Sequence, residues 1–148
     1  MNKIGLKATD SITGLKGVIT AKAEFLHGQP RYELSPEKLH EGTLVKPVWL
    51  DEPRLKFGKR SIKFESIPPV IELGADTEDP ITKMQGVVVA RFIFINRCVR
   101  LEVQPKSLKD GRPVEPEVFD EGRLAPQSAA ATKNPGGPRP GPTPYSRP

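Results

Sequence analysis

The chain has 148 residues, 36% hydrophobic and 28% charged, with a formal net charge of +5. That length allows one domain or two very small ones, and 17 prolines with 13 glycines favour loops and short strands over long helices. The single cysteine, Cys98, excludes an intrachain disulfide and fits a reducing compartment. No stretch approaches the roughly 18 apolar residues of a membrane helix, and the first ten residues hold no apolar signal core, so a cytoplasmic protein without a membrane span is expected.

Residues 4–9 predict a strand, followed by a turn that carries Asp10, Gly14 and Gly17. In GVITAKAEF, Ile19, Ala21, Ala23 and Phe25 alternate with Thr20, Lys22 and Glu24, the period of a half-buried strand. RYELSP predicts a short strand with Tyr32 and Leu34 on one face, stopped at Pro36. PEKLHEGTL reads as a polar loop with Gly42 at a positive φ. VKPVWL predicts another strand, and DEPRLKF a tight turn into a last one, with Asp51 expected to accept backbone N–H groups in the turn.

The same elements are then written again. Residues 10–55 and 79–124 align without a gap at an offset of 69, and 18 of the 46 positions are identical, among them Asp10/Asp79, Gly17/Gly86, Asp51/Asp120, Glu52/Glu121, Arg54/Arg123 and Leu55/Leu124. This is a duplicated module. Four or five short strands per copy, with no helical period, predict an all-β protein of two tandem small SH3-like β-barrel modules. The expected division is repeat 1 over residues 1–57, a basic linker over 58–70, repeat 2 over 71–124 and a Pro/Gly-rich tail over 125–148.

The second copy of the long strand, GVVVARFIFIN, is apolar on both faces. Val88, Ala90, Phe92 and Phe94 match the inward face of copy 1, and Val87, Val89, Ile93 and Ile95 occupy the other. A strand apolar on both faces is normally covered on both, so these four are expected to pack on copy 1 or on another subunit, which leaves a homo-oligomer open. Charge is uneven as well: net +4 over residues 1–70, −2 over 71–124 and +3 over 125–148. The tail holds 7 prolines, 3 glycines and almost no large apolar group; it is expected to be disordered or extended.

Catalytic and metal chemistry find little footing. His27 and His40 are far apart, copy 2 has Asn96 and Lys109 in their places, and one cysteine completes no ligand set. Cys98 has no histidine partner in the repeat; it reads as a half-buried strand residue. The pairs Asp51-Glu52 and Asp120-Glu121 stand just before Arg54 and Arg123. An ion pair that keeps them charged, at a structural turn, is the plainer reading; in the functional one Arg54 and Arg123 face a groove and bind an anion. TGLKG does not open a helix and reads as a turn. KFGKRSIKF interleaves Phe57 and Phe64 with Lys56, Lys59, Arg60 and Lys63, a candidate surface for nucleic acid or a nucleotide. No cofactor, metal or catalytic residue is expected.

The pattern D-x-I-T-G-x-x-G-V-x-x-A, then R-x-x-L-x-P, then W-x-D-E-x-R-L resembles small proteins of tailed phages and prophages. The resemblance covers about residues 4–57 and 71–124. Copy 2 departs from it at Lys83, in place of the first glycine, and at Val118, in place of the Trp. It implies a phage origin and transfers turn positions, not catalytic roles. The expectation is a non-enzymatic, phage-type binding protein in the host cytoplasm or incorporated into the virion as a head or tail accessory subunit. Its partners would be other phage or host proteins. The alternative is an intracellular binder of nucleic acid or small nucleotides through Arg54, Lys56, Lys59, Arg60, Lys63 and Arg123.

Overall fold

The structure, a computed structural model, describes residues 2–127, and it is all-β. The expected disordered tail lies, from residue 128 on, outside the described residues. In copy 1, β1 (Leu6–Asp10), β2 (Lys16–Phe25), β3 (Arg31–Pro36) and β4 (Val48–Asp51) are followed by a 3-10 turn (Glu52–Arg54) and β5 (Leu55–Arg60). In copy 2, β6 (Asp76–Glu78), β7 (Gln85–Phe94) and β8 (Val99–Pro105) precede a small hairpin of β9 (Leu108–Lys109) and β10 (Arg112–Pro113). Then come β11 (Glu117–Asp120), a second 3-10 turn (Glu121–Arg123) and β12 (Ala125–Pro126).

Each copy orders its strands alike. In copy 1 the ladder runs β4-β3-β2-β1-β5, and in copy 2 β11-β8-β7-β6-β12, all antiparallel. The expected closed barrels do not form among the described residues: β4 shares no ladder with β5, nor β11 with β12. β4 and β11 are four residues long and start just after Pro47 and Pro116, where proline removes a ladder donor. The 3-10 turn then carries the chain to the far edge of the copy.

Two boundaries differ from the sequence reading. The linker begins inside the fold, because β5 runs on to Arg60, Phe64 and Ile71 are buried in the core, and the Arg60 guanidinium donates to the carbonyls of Asn2, Ile4 and Ile62. The tail also starts later, because Ala125 and Pro126 pair with β6 and the Gln127 amide donates to the Asp76 carbonyl.

β2 and β7 are each 10 residues long because each serves two neighbours along one edge. The first half of β2 pairs with β1 and the second half with β7; the first half of β7 pairs with β6 and the second with β2. A bulge separates the halves, at Ile19/Ala21 and at Val88/Ala90, and it bends the strand. In copy 1 the alternation runs on through the bulge, with Ile19, Ala21 and Ala23 buried, whereas in copy 2 the second face is covered as well. Beyond the bulge Arg91 and Ile93 are buried while Phe92 and Phe94 are half-buried, so the unbroken alternation expected for GVVVARFIFIN does not hold. The bulged strands lie close to their neighbours: a Cβ on Gly17 would sit 2.2 Å from the Ser35 carbonyl oxygen, and one on Gly86 2.4 Å from that of Gln104.

The copies meet along the β2–β7 ladder, where Ala21 faces Phe94, Ala23 faces Phe92 and Phe25 faces Ala90. Ile93 lies opposite Lys22, and the Ile95 amide donates to the Thr20 carbonyl. Val87 and Val89 are half-buried, and Ile95 packs on the core. One hydrophobic cluster takes residues from both copies, including Ile19, Tyr32 and Leu34 with Val88, Leu101 and Val103. A buried charge sits at this seam. Arg91 lies 3.9 Å from Glu24 and 4.0 Å from the buried Glu121 and donates to the Ile67 carbonyl at 3.0 Å. Its Nε makes no hydrogen bond among the described residues. Glu121 Oε2 also accepts the amides of Val70 and Ile71.

Candidate functional site

The repeated carboxylates and arginines form two equivalent clamps. Asp10 closes β1 and accepts the amides of Ile12 and Thr13 and the Thr13 hydroxyl. Arg54 donates to both of its oxygens, at 2.7 and 3.0 Å. In copy 2, Asp79 accepts the amides of Ile81 and Thr82 and the Thr82 hydroxyl, and Arg123 donates to both oxygens at 2.9 and 2.7 Å. Both aspartates are buried. The arginine hydrogen bonds above all, with the threonine bonds beside them, hold both carboxyls well below the usual carboxylate range, although burial opposes this. The same contacts raise the pKa of both arginines.

Arg54 and Arg123 thus pair with Asp10 and Asp79, 44 residues away, and not with the neighbouring D-E carboxylates as the sequence suggested. Asp51 caps no backbone group with its side chain; it accepts Arg31 Nε at 3.0 Å, as Asp120 accepts Arg100 at 3.2 Å. Glu52 accepts the Tyr32 hydroxyl at 3.2 Å; burial, then this carboxylate, push the Tyr32 pKa above the phenol range. The TGLKG turn forms as expected, with Gly14 at φ 80, and Lys83 takes the same left-handed position at φ 70. Gly42 has the expected positive φ. Cys98 is exposed in the turn after β7, which corrects its reading as a half-buried strand residue. Both histidines are exposed, and no group of three His, Cys, Asp or Glu suited to a metal occurs among the described residues.

The candidate site lies on the outer face of β5, β1 and β2. Thr9 on β1 stands opposite Lys16 on one side and Lys56 on the other, so three strands form a Lys-Thr-Lys row. Lys7 continues it along β1, and Lys59 on β5, with Gly17, Gly58 and Phe57, completes a groove of about 620 Å³. Lys7 is 3.7 Å from Glu37, while Lys16, Lys56 and Lys59 make no ion pair among the described residues. Phe57 is not a free stacking platform: its ring meets Tyr32 edge-on at 5.4 Å and lies under Lys3 Nζ at 4.3 Å. Of the basic residues expected to act together, Lys56, Lys59 and Arg60 line the groove, Lys63 stands outside it beside Glu65, and Arg54 and Arg123 belong to the clamps. Sequence reasoning missed Lys7 and Lys16, which are remote from the KFGKR run until β1 is known to lie between β2 and β5.

The equivalent face of copy 2 carries other chemistry. Lys7, Thr9, Lys16 and Lys56 correspond to Asp76, Glu78, Gln85 and Ala125. The Lys7–Glu37 pair reappears with its charges exchanged, as Asp76–Lys106 at 2.7 Å. Framework positions are thus identical in the two copies while this outer face is basic in one and not in the other. The chain matches no protein-family model, no curated protein and no solved structure.

Proposed function

We propose that the protein is a non-enzymatic binding protein of two tandem SH3-like modules that works through protein–protein contacts, as an accessory subunit of a tailed-phage particle. The SH3-like assignment is supported by the strand order of each copy, with a 3-10 turn before a fifth strand that returns to the first. The phage setting rests on the D-x-I-T-G and D-E-x-R-L pattern. One observation carries the binding role: apolar side chains held out in solvent at the same places in both copies. Ile12 and Ile81 are 74% and 72% exposed at the clamp turns, and Leu39, in the loop after β3, and Leu108, on β9, are 59% and 66% exposed. Scattered exposed apolar residues are ordinary, but the identity of these four across a duplication that changed most other surface positions marks them as contact residues.

The test is a double variant, Ile12→Asp with Ile81→Asp. It should melt like the parent and fail to co-sediment with particles from its own phage. A parent chain missing from purified particles would end this reading. A second reading, an intracellular binder of nucleic acid or nucleotides, is favoured by the lysine groove; it predicts binding that weakens steeply with salt, and no binding to single- or double-stranded DNA at low salt would sink it.

A further inference from the structure

The two copies differ in charge at both pairs of edge strands, β5 against β12 and β4 against β11. Among the described residues β4, β5, β11 and β12 each have a hydrogen-bonded neighbour on one side only, and an unpaired strand edge is a template for another strand. β12 is two residues long and ends in Pro126, which blunts it. β5 and β11 belong to different copies, and each ends a six-strand path through the sheet, as β4 and β12 also do. β5 is the basic rim of the groove, and its Lys56 and Lys59 make no ion pair among the described residues. β11 and the residue two before it present Glu117 and Glu115, exposed and likewise without an ion pair among the described residues. Copy 1 has Val48 and Lys46 at those two positions.

We infer that this chain binds a second copy of itself head to tail, the acidic β11 edge of one molecule seating against the basic β5 edge and groove of the next. The inference deepens the protein–protein reading by naming one partner. Charge complementarity selects this pairing: β5 against β5 sets lysine on lysine, and β11 against β11 sets glutamate on glutamate, which is destabilising between facing strands. β11 is four residues long and β5 six, so the shared ladder would span about 13 Å, with main-chain bonds giving affinity and the lysine–glutamate contacts giving register. Because the two surfaces differ, the contact is heterologous and repeats into a ring or a filament. Nucleic acid is the less suited occupant of the groove, since its one aromatic ring is already packed.

The experiment is sedimentation of the full chain at high-micromolar concentration, from about 50 mM to about 0.5 M salt, over which charge contacts are screened. The parent should sediment above monomer mass at low salt and fall towards it as salt rises. Lys56→Glu with Lys59→Glu should be monomeric at low salt, as should Glu115→Lys with Glu117→Lys, both with unchanged melting. An equimolar mixture of the two variants should regain the assembly, because each then offers the edge that the other needs. A monomeric parent at low salt, reversal variants that assemble like the parent, or a mixture that stays monomeric each overturns the inference. A parent that stays monomeric but loses DNA binding on Lys56→Glu with Lys59→Glu overturns it in favour of nucleic acid. Failure here leaves the wider reading standing if the Ile12→Asp, Ile81→Asp variant still loses its particle.

Discussion

Arg91→Met tests whether the buried charge at the seam is held by its partners. Methionine keeps most of the apolar stem and removes the guanidinium, leaving Glu121 buried without its cation. Removing one partner of a buried ion pair costs about 3–5 kcal/mol. Here the two carboxylates lie at 3.9 and 4.0 Å, the outer limit of pairing, and Glu121 keeps the amides of Val70 and Ile71. The expected loss is therefore lower, about 2–3 kcal/mol, or a fall in Tm of about 10 °C for a domain of this size. Urea unfolding should be followed twice, by the fluorescence of Trp49, the one tryptophan, in copy 1, and by far-UV circular dichroism, which reports both copies. The two traces should coincide, since the copies share one core and unfold together. Adding Glu121→Gln to Arg91→Met should recover part of the loss. A midpoint equal to or above that of the parent would refute the reasoning, because the guanidinium would then be strained rather than held.

Arg54→Ala and Arg123→Ala should each lower Tm and leave particle or partner binding unchanged in the folded fraction; a binding loss without a stability loss would return these arginines to the site. Asp10 and Asp79 have folded pKa values depressed by Arg54 and Arg123, so their contribution is full above the ordinary carboxylate range, near 3.8, and is lost as pH falls below it. Acid titration of Tm should show this limb, and Asp79→Asn should flatten it. Gly86→Ala pushes a methyl to within 2.4 Å of the Gln104 carbonyl oxygen, whereas a Cβ on Gly122 meets nothing within 4 Å. The first should cost about 1–3 kcal/mol in chemical denaturation and the second stay near neutral; equal effects would mean that β7 and β8 can move apart.

The duplication, the strand content and most strand positions could be read from the residues because they depend on local pattern and on identity between copies. RYELSP is β3 residue for residue, and β2 begins one residue before its predicted start. The facing of the long strands could not be read. The bulges at Ile19/Ala21 and Val88/Ala90 fall at the same place in both copies, so comparing the copies leaves no trace of them, and Arg91 is buried instead by the segment after β5, its guanidinium donating to the Ile67 carbonyl, a contact that no local pattern shows. The clamps were half legible: Asp10/Asp79 and Arg54/Arg123 are both identical pairs at a spacing of 44, a signal hidden by the nearer carboxylates of D-E-x-R-L. The groove was the least legible, since Lys7, Lys16 and Lys56 meet only through the position of β1 between two other strands.

The seam register explains why the copies can differ in charge at all. Ala23 faces Phe92, its own counterpart at the offset of 69, and the Ala21–Phe94 and Phe25–Ala90 pairs exchange under the same offset. A two-fold relation therefore passes between Ala23 and Phe92, as it would between the subunits of a symmetric dimer joined through one strand. In such a dimer of identical chains every edge appears twice, so a basic β5 edge would come with a second one, and an acidic edge could arise only by changing both. Fusing the halves into one chain removes that constraint. The clamps and the bulges, which the fold needs in both halves, stayed the same. The edges, which it does not, were free to become Lys56 in one half and Ala125 in the other, Val48 in one and Glu117 in the other.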